Sequence, residues 1–204
     1  MELYDTEEQQ VEAIKDWWKE NGKAVIFGAV IGLGGLFGWR YYQDSVTAAQ
    51  EAASENYTKV VQTLAEQGVD AQAAMQTFID SNKETEYATL AALQLAKVQA
   101  EAGNLDEATA QLEWAVSSTQ DTALSAVINY RLARVKAEQG EFDAAIAQLA
   151  SIDDQSWAGR VAELKGDILL RKGDAEGAYA AYTEAQQSGD ASQTLQLKLD
   201  DLAK

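Results

Sequence analysis

Three copies of one six-residue pattern recur in the chain: GNLDEA at 103–108, GEFDAA at 140–145 and GDAEGA at 173–178. A degenerate fourth copy, GVDAQA, occupies 68–73. The glycines that open successive copies are 35, 37 and 33 residues apart. A regular period of this length is typical of helical repeats, in which each unit is one helix pair that packs against the next.

The residues of the pattern indicate how each helix pair is built. Glycine takes the left-handed conformation that ends one helix, and an acidic residue after it caps or favours the start of the next. An alanine five residues after each glycine lets the second helix pack closely on the first: Ala73, Ala108, Ala145 and Ala178. Beyond Tyr42 the chain shows no strand-like alternation and is rich in Ala, Leu, Gln and Glu. We therefore predict an all-α fold.

These pairs resemble the tetratricopeptide repeat, whose unit is a helix pair of 34 residues. Alignment on the glycines places the family's small residue before the turn at Val61, Ala96, Ala133 and Gly166. The bulky residue of the second helix falls at Thr77 (beside Phe78), Leu112, Leu149 and Tyr182. The tail from Ala191 has one apolar face, which we expect to cap the stack. A generic helical bundle is the alternative for this region.

A second feature is the uncharged run AVIFGAVIGLGGLFGW at 24–39. Sixteen helical residues span about 24 Å, and snorkelling cations at both ends extend this to about the 30 Å of a bilayer core. We predict a transmembrane signal anchor over 23–42, with a buried core helix or a cleaved signal peptide as alternatives. The expected membrane-interface anchors are Trp17, Trp18, Lys23, Trp39, Arg40, Tyr41 and Tyr42. The expected helix-packing positions are Gly28, Gly32, Gly34 and Gly38.

The segments on either side of this span differ in length and charge. Residues 1–22 are acidic, and a possible capping box at Thr6 and Gln9 precedes an amphipathic pattern, so we predict a short helix there. Near the ends of the uncharged run, three lysines come before it (Lys15, Lys19 and Lys23) and two basic residues after it (Arg40 and Lys59), a weak bias that places the N-terminus in the cytoplasm. Residues 43–204, with a net charge of −14, then form a periplasmic repeat domain.

Composition excludes several classes of function. The 204 residues carry a net charge of −17 and include no His and no Cys. Zinc fingers, thiol redox motifs and His-dependent nucleophiles are therefore absent, and the acidity argues against nucleic-acid binding. The acidic pairs 153–154 and 200–201 are adjacent instead of facing each other across a cleft. We predict a protein that is not an enzyme and needs no cofactor.

The first helix of each tetratricopeptide pair lines the concave face of the stack. Under the alignment above, eight residues are candidates for binding a partner or client: Leu90, Leu93, Lys97, Tyr130, Arg134, Arg160, Glu163 and Asp167. The leucines and tyrosine could take apolar anchors, and the basic residues could pair with carboxylates. The alternative is that the leucines pack between repeats and the basic residues neutralise neighbouring acids.

The whole chain resembles the YfgM family of Gammaproteobacteria. The resemblance is carried by ENGK at 20–23, the glycine-rich span that ends in GWRYY at 38–42, and AVINYRLARV at 126–135. It implies an inner-membrane protein with one N-terminal anchor, an ancillary subunit of the SecYEG translocon. It also implies partnership with the periplasmic chaperone PpiD and assistance to newly secreted, unfolded proteins. Two alternatives remain: an anchored receptor with a cytosolic domain, or a regulator of envelope stress signalling that acts through its cytoplasmic segment.

Overall fold

The computed structural model describes residues 7–188 and 192–202, and every regular element in these ranges is helical. The helices are α1 Glu7–Gln67, α2 Gln72–Ser81, α3 Glu86–Glu101, α4 Leu105–Ser118, α5 Thr122–Glu138, α6 Phe142–Leu149, α7 Ala158–Lys172, α8 Ala175–Gln187 and α9 Leu195–Leu202. Short 3-10 turns lie at Gly68–Ala71 and Gln155–Trp157. The predicted all-α class is confirmed.

The chain divides into two units, Met1–Ala52 and Ala53–Lys204, and the boundary falls inside α1. The amphipathic segment predicted before the apolar run forms the first part of α1, which continues without interruption from Glu7. Thr6, the predicted cap, and Ala191, the predicted start of the tail, lie outside the described residues.

Left-handed glycines separate the helices of each pair, as predicted. Gly68, Gly103, Gly140 and Gly173 have φ angles of 58°, 83°, 81° and 91°. The predicted acidic cap is made by one side chain after these turns, that of Asp174, which accepts a hydrogen bond from the Gly177 amide at 2.9 Å. The acids after Gly103 and Gly140 instead lie in or beside the first turns of α4 and α6. Their negative charges interact favourably there with the positive end of the helix dipole.

Small residues of the first helices are buried with bulky residues of the second helices. Ala96 shares a core cluster with Leu112, and Ala133 shares another with Leu149. In the last pair, the Tyr182 ring lies so close to Gly166 that a Cβ atom there would be 2.4 Å from two ring carbons. The glycine alignment therefore identified the contact positions of these three pairs correctly.

The first pair, formed by the end of α1 and by α2, departs from the alignment. Ala73 and Thr77 are exposed, and the buried positions are Ala71, Met75, Phe78 and Ile79. The 3-10 turn at Gly68–Ala71 precedes α2 and changes the phase of the helix, so that its apolar face begins at a different register. The expectation of a close helix contact at Ala73 was wrong for this reason.

The last described helix is α9, which packs against α8. Leu195 and Leu199 are buried in one cluster with Ala162, Ala178 and Tyr182. The Lys198 side chain of α9 also contacts Glu163 and Asp167 of α7, which are two of the predicted site residues.

Candidate protein-interaction surfaces

A groove of about 360 Å³ lies between α3 and α5, with α4 contributing to its floor. Its lining consists of Leu93, Ala96, Lys97, Ala100, Glu101, Leu105, Leu112, Arg131, Arg134, Val135 and Glu138. The structure thus brings together three of the eight predicted residues, Leu93, Lys97 and Arg134. Leu93 is buried and forms part of the apolar floor, whereas Lys97 and Arg134 are exposed.

The remaining predicted residue of α3, Leu90, lies one turn before Leu93. It is half-buried and packs against the first core cluster instead of lining the groove. Its role in the structure is therefore packing within the repeats.

The charges of the groove are unevenly paired. Glu101 lies 3.8 Å from the Lys97 ammonium, and Glu138 accepts a hydrogen bond from Arg171 at 2.8 Å. Within residues 7–188 and 192–202, Arg131 and Arg134 form neither an ion pair nor a hydrogen bond through their side chains. Arg131 was missed by the sequence analysis, although its position three residues before Arg134 on one helix could have indicated it.

A second surface is formed by aromatic and cationic side chains of α5, α7 and the 3-10 turn that precedes α7. The ring centroids of Tyr130 and Trp157 lie 5.4 Å apart, and the guanidinium carbon of Arg160 lies 4.7 Å from the centroid of the Trp157 ring. Burial raises the pKa of Tyr130; the nearby Arg134 charge opposes this shift and the Glu163 charge adds to it. Tyr130 and Arg160 therefore belong to one cluster, separate from the groove lining.

The two predicted carboxylates of α7 are held by the C-terminal part of the chain. Glu163 is only 6% exposed and accepts hydrogen bonds from the Ser192 amide at 2.8 Å and from the Ser192 hydroxyl. The Lys198 ammonium of α9 lies 2.9 Å from Glu163 and 2.7 Å from Asp167. The Tyr182 hydroxyl also donates to Asp167 at 2.8 Å. Glu163 and Asp167 thus hold α9 on α7, which is a structural role that their sequence positions did not indicate.

This ion network makes the stability of the second unit depend on pH. Burial alone would raise the pKa of Glu163, but the hydrogen bonds from Ser192 and Lys198 and the Lys198 charge outweigh it, so the pKa is lowered. Because the pKa of Glu163 is lower in the folded than in the unfolded protein, the Glu163 charge stabilises the fold at pH values above the ordinary glutamate pKa. This contribution is lost as the pH falls through the folded-state pKa.

We therefore expect that Glu163→Gln destabilises the protein at pH 7 and that its difference from wild type shrinks as the pH is lowered from about 5 to 3. The measurement is urea unfolding of both proteins across this range. The exposed Asp80 and Asp154, whose pKa values are also lowered, are present in both proteins and cancel in the difference. A difference that stays constant with pH would show that the Glu163 charge does not stabilise the fold.

The first unit presents apolar side chains to its surroundings in every direction. Among the described residues, α1 provides the one helix that is long and apolar enough to cross a membrane, and almost none of its apolar window is buried. All seven predicted interface anchors are exposed: Trp17, Trp18, Lys23, Trp39, Arg40, Tyr41 and Tyr42. Before the apolar run, the ring centroids of Trp17 and Trp18 lie 6.4 Å apart, and at its end those of Trp39 and Tyr42 lie 6.1 Å apart.

The four predicted glycines of this helix lie on two faces. A Cβ atom added at Gly28, Gly32, Gly34 or Gly38 would meet no atom within 4 Å. Because successive helical residues are about 100° apart, Gly28 and Gly32 share one face, and Gly34 and Gly38 share another. The helix therefore offers two flat strips on which other helices could pack closely.

Comparison with solved structures defines the class of the fold. A tetratricopeptide repeat protein from Parabacteroides merdae superposes with a TM-score of 0.58 at 14% identity, over 73% of this chain and 60% of that chain. MamA superposes with a TM-score of 0.54 at 20% identity, over 73% of this chain and 85% of that chain. A family model described as tetratricopeptide repeat-like domain matches residues 15–204. The protein is thus an all-helical tetratricopeptide repeat-like protein with an apolar N-terminal helix.

Full-length relatives give the particular family. The chain is 40% identical to the ancillary SecYEG translocon subunit of Escherichia coli K12, over 100% of both chains. It is 35% identical to the protein of the same name from Haemophilus influenzae Rd and 38% identical to that from Aggregatibacter actinomycetemcomitans, in each case over 96% of this chain and 97% of the relative. The chain belongs to the family of ancillary SecYEG translocon subunits, as its resemblance to the YfgM family predicted. This is a family of protein-interaction scaffolds and not of enzymes.

Proposed function

We propose that this protein is a single-pass inner-membrane subunit that presents a periplasmic interaction domain beside the SecYEG translocon. The observation that carries the proposal is the full-length identity to proteins named ancillary SecYEG translocon subunits, at 40% for the Escherichia coli relative. The long apolar helix near the N-terminus supports the membrane anchor. The weak excess of lysines before the span supports an N-terminus in the cytoplasm.

Each part of the chain has a role in this proposal. The span from 23 to 42 holds the repeat domain near the exit of the channel, which raises the local concentration of the domain there. The aromatic rings at both ends of the span fix its depth in the membrane. The two glycine strips allow a close approach by transmembrane helices of the translocon or by the anchor of a partner.

The repeat domain then supplies the contacts outside the membrane. The groove between α3 and α5 and the Tyr130–Trp157 cluster are the two surfaces that a partner or an unfolded client would contact. The resemblance to the YfgM family supports the periplasmic chaperone PpiD as the partner. Residues 43–204 carry a net charge of −14, which keeps the domain soluble and away from anionic lipid.

The test combines topology with co-purification. With an affinity tag after Lys204, we expect protease added to spheroplasts to remove the tag, and we expect SecY, SecE and PpiD to co-purify from detergent extracts of intact membranes. Replacement of Gly28 and Gly32 by leucine should lower their recovery several-fold, because bulky side chains keep a neighbouring helix from approaching.

The matched control exchanges Ile26 for leucine and Leu33 for isoleucine, which keeps the side-chain volume, lies away from the face of Gly28 and Gly32, and should leave recovery unchanged. Protection of the tag until the membrane is lysed would place the domain in the cytoplasm and would favour the anchored cytosolic receptor. Removal of the tag by protease without recovery of SecY would support a periplasmic domain but contradict the translocon role.

A further inference from the structure

We infer that the groove between α3 and α5 binds a short polypeptide segment in which an apolar side chain is flanked by carboxylates. The inference rests on the proposed function, because it specifies the chemistry of one surface of the interaction domain. It is carried by two independent features of the groove, its apolar floor and its unpaired arginines.

The floor is formed by apolar side chains. It is formed by Leu93 and Ala96 of α3, Leu105 and Leu112 of α4, and Val135 of α5. Its volume of about 360 Å³ lies at the lower end of the range for binding pockets, which suits one or two side chains but not a folded element. An apolar side chain inserted here would be partly removed from water, and this burial would contribute to affinity.

The rim selects for negative charge. Its two acids already have cationic neighbours, since Glu101 lies beside Lys97 and Glu138 accepts a hydrogen bond from Arg171. Within the described ranges, the Arg131 and Arg134 guanidinium groups have no acidic partner, in a chain whose net charge is −17. Guanidinium groups form bidentate hydrogen bonds with carboxylates, so the groove complements a ligand that carries acids next to its apolar residue.

The two arginines are placed to act on the same ligand. They are three residues apart on α5, so they project from one side of the helix. Val135 of the same helix forms part of the floor beside them. A segment lying along the groove would therefore place its central side chain on the floor and its carboxylates against α5. A segment with lysines in the same places would be repelled.

The test uses the full-length protein in dodecyl maltoside micelles and three fluorescein-labelled peptides. The first peptide is Gly-Ser-Asp-Asp-Leu-Asp-Asp-Ser-Gly. The second has lysine in place of every aspartate, and the third has serine in place of leucine. We expect fluorescence anisotropy to show binding of the first peptide at least tenfold tighter than that of either other peptide, with an affinity that falls as salt is raised.

Two variants examine the two features separately. Replacement of Arg131 and Arg134 by glutamine should weaken binding of the first peptide at least tenfold and remove most of its salt dependence. Ala100→Leu should weaken binding by filling the groove, without a change of charge. The matched control replaces Lys59 and Lys83, two exposed lysines outside the groove, by glutamine and should bind as the wild type does.

Equal binding of the three peptides, no binding at millimolar concentration, or binding that both groove variants retain would each overturn the inference. Circular dichroism of each variant establishes that a loss of binding does not come from unfolding. Failure of this inference is distinguishable from failure of the proposed function. If the arginine variant still co-purifies with SecY while no peptide binds, the groove chemistry is wrong and the translocon role stands.

Discussion

Replacement of Gly166 by valine is expected to lower the free energy of unfolding of the repeat domain by about 3 kcal/mol. Gly166 of α7 faces the ring of Tyr182 on α8, and a Cβ atom at this position would lie 2.4 Å from two ring carbons. Tyr182 is 1% exposed and its hydroxyl is bonded to Asp167, so the ring cannot move aside without breaking other contacts. The higher helix propensity of valine relative to glycine offsets only a few tenths of a kcal/mol of this cost.

Urea unfolding of the full chain in detergent, followed by circular dichroism, measures the effect. Ala180→Val adds bulk at an exposed position of α8 and should cost less than about 1 kcal/mol. The double replacement Gly166→Ala with Tyr182→Leu recreates the alanine–leucine pairing that Ala96 and Leu112 show in an earlier repeat. We expect this double variant to be more stable than Gly166→Ala alone; a simple sum of the two single effects would mean that the two positions do not pack against each other.

Lys198→Met is expected to destabilise the domain by about 2 kcal/mol and to release α9 from α7. The ammonium group of Lys198 lies between Glu163 and Asp167, and Glu163 is almost completely buried. Removal of the cation leaves a buried carboxylate with hydrogen bonds from Ser192 but without its counter-charge. Because part of the Lys198 side chain is exposed to solvent, the expected cost is smaller than for a fully buried pair.

The control for Lys198 is a lysine in an exposed ion pair. Lys83 lies 3.1 Å from Asp80, and both side chains are about half exposed, so Lys83→Met should change the stability by no more than about 1 kcal/mol. Hydrogen exchange of the α9 amides provides a local measurement, and their protection should fall in Lys198→Met before that of α3 or α5 does. Equal effects of the two lysine replacements would show that the network around Glu163 stabilises the fold no more than an exposed ion pair does.

The candidate site could be predicted from the sequence in part. The glycine register placed Leu93, Lys97 and Arg134 on first helices of successive repeats, and the structure brings these three to one groove. Arg131 was missed although helical spacing places it beside Arg134. Trp157 was missed for a different reason, since it lies in a 3-10 turn between repeats, where the repeat alignment assigns no position.

The sequence by itself determined the features that depend on local spacing. The period of the glycines set the turns, because glycine readily adopts the left-handed conformation that each turn requires. The spacing of small and bulky residues identified the contact between helices in three of the four pairs, and the uncharged run at 24–39 identified the candidate membrane helix. Each of these signals is contained within about 40 consecutive residues.

Only the tertiary structure decided which charged side chains remain available to a partner. Glu163 and Asp167 had the positions of ligand-binding residues, but Ser192 and Lys198, about 30 residues further along the chain, occupy both carboxylates. Arg131 and Arg134 keep free guanidinium groups within the described part because the neighbouring acids pair with Lys97 and Arg171. Local periodicity shows which face a charged residue lies on, whereas its partner depends on how distant helices pack, and this information is not present in the spacing of any one segment.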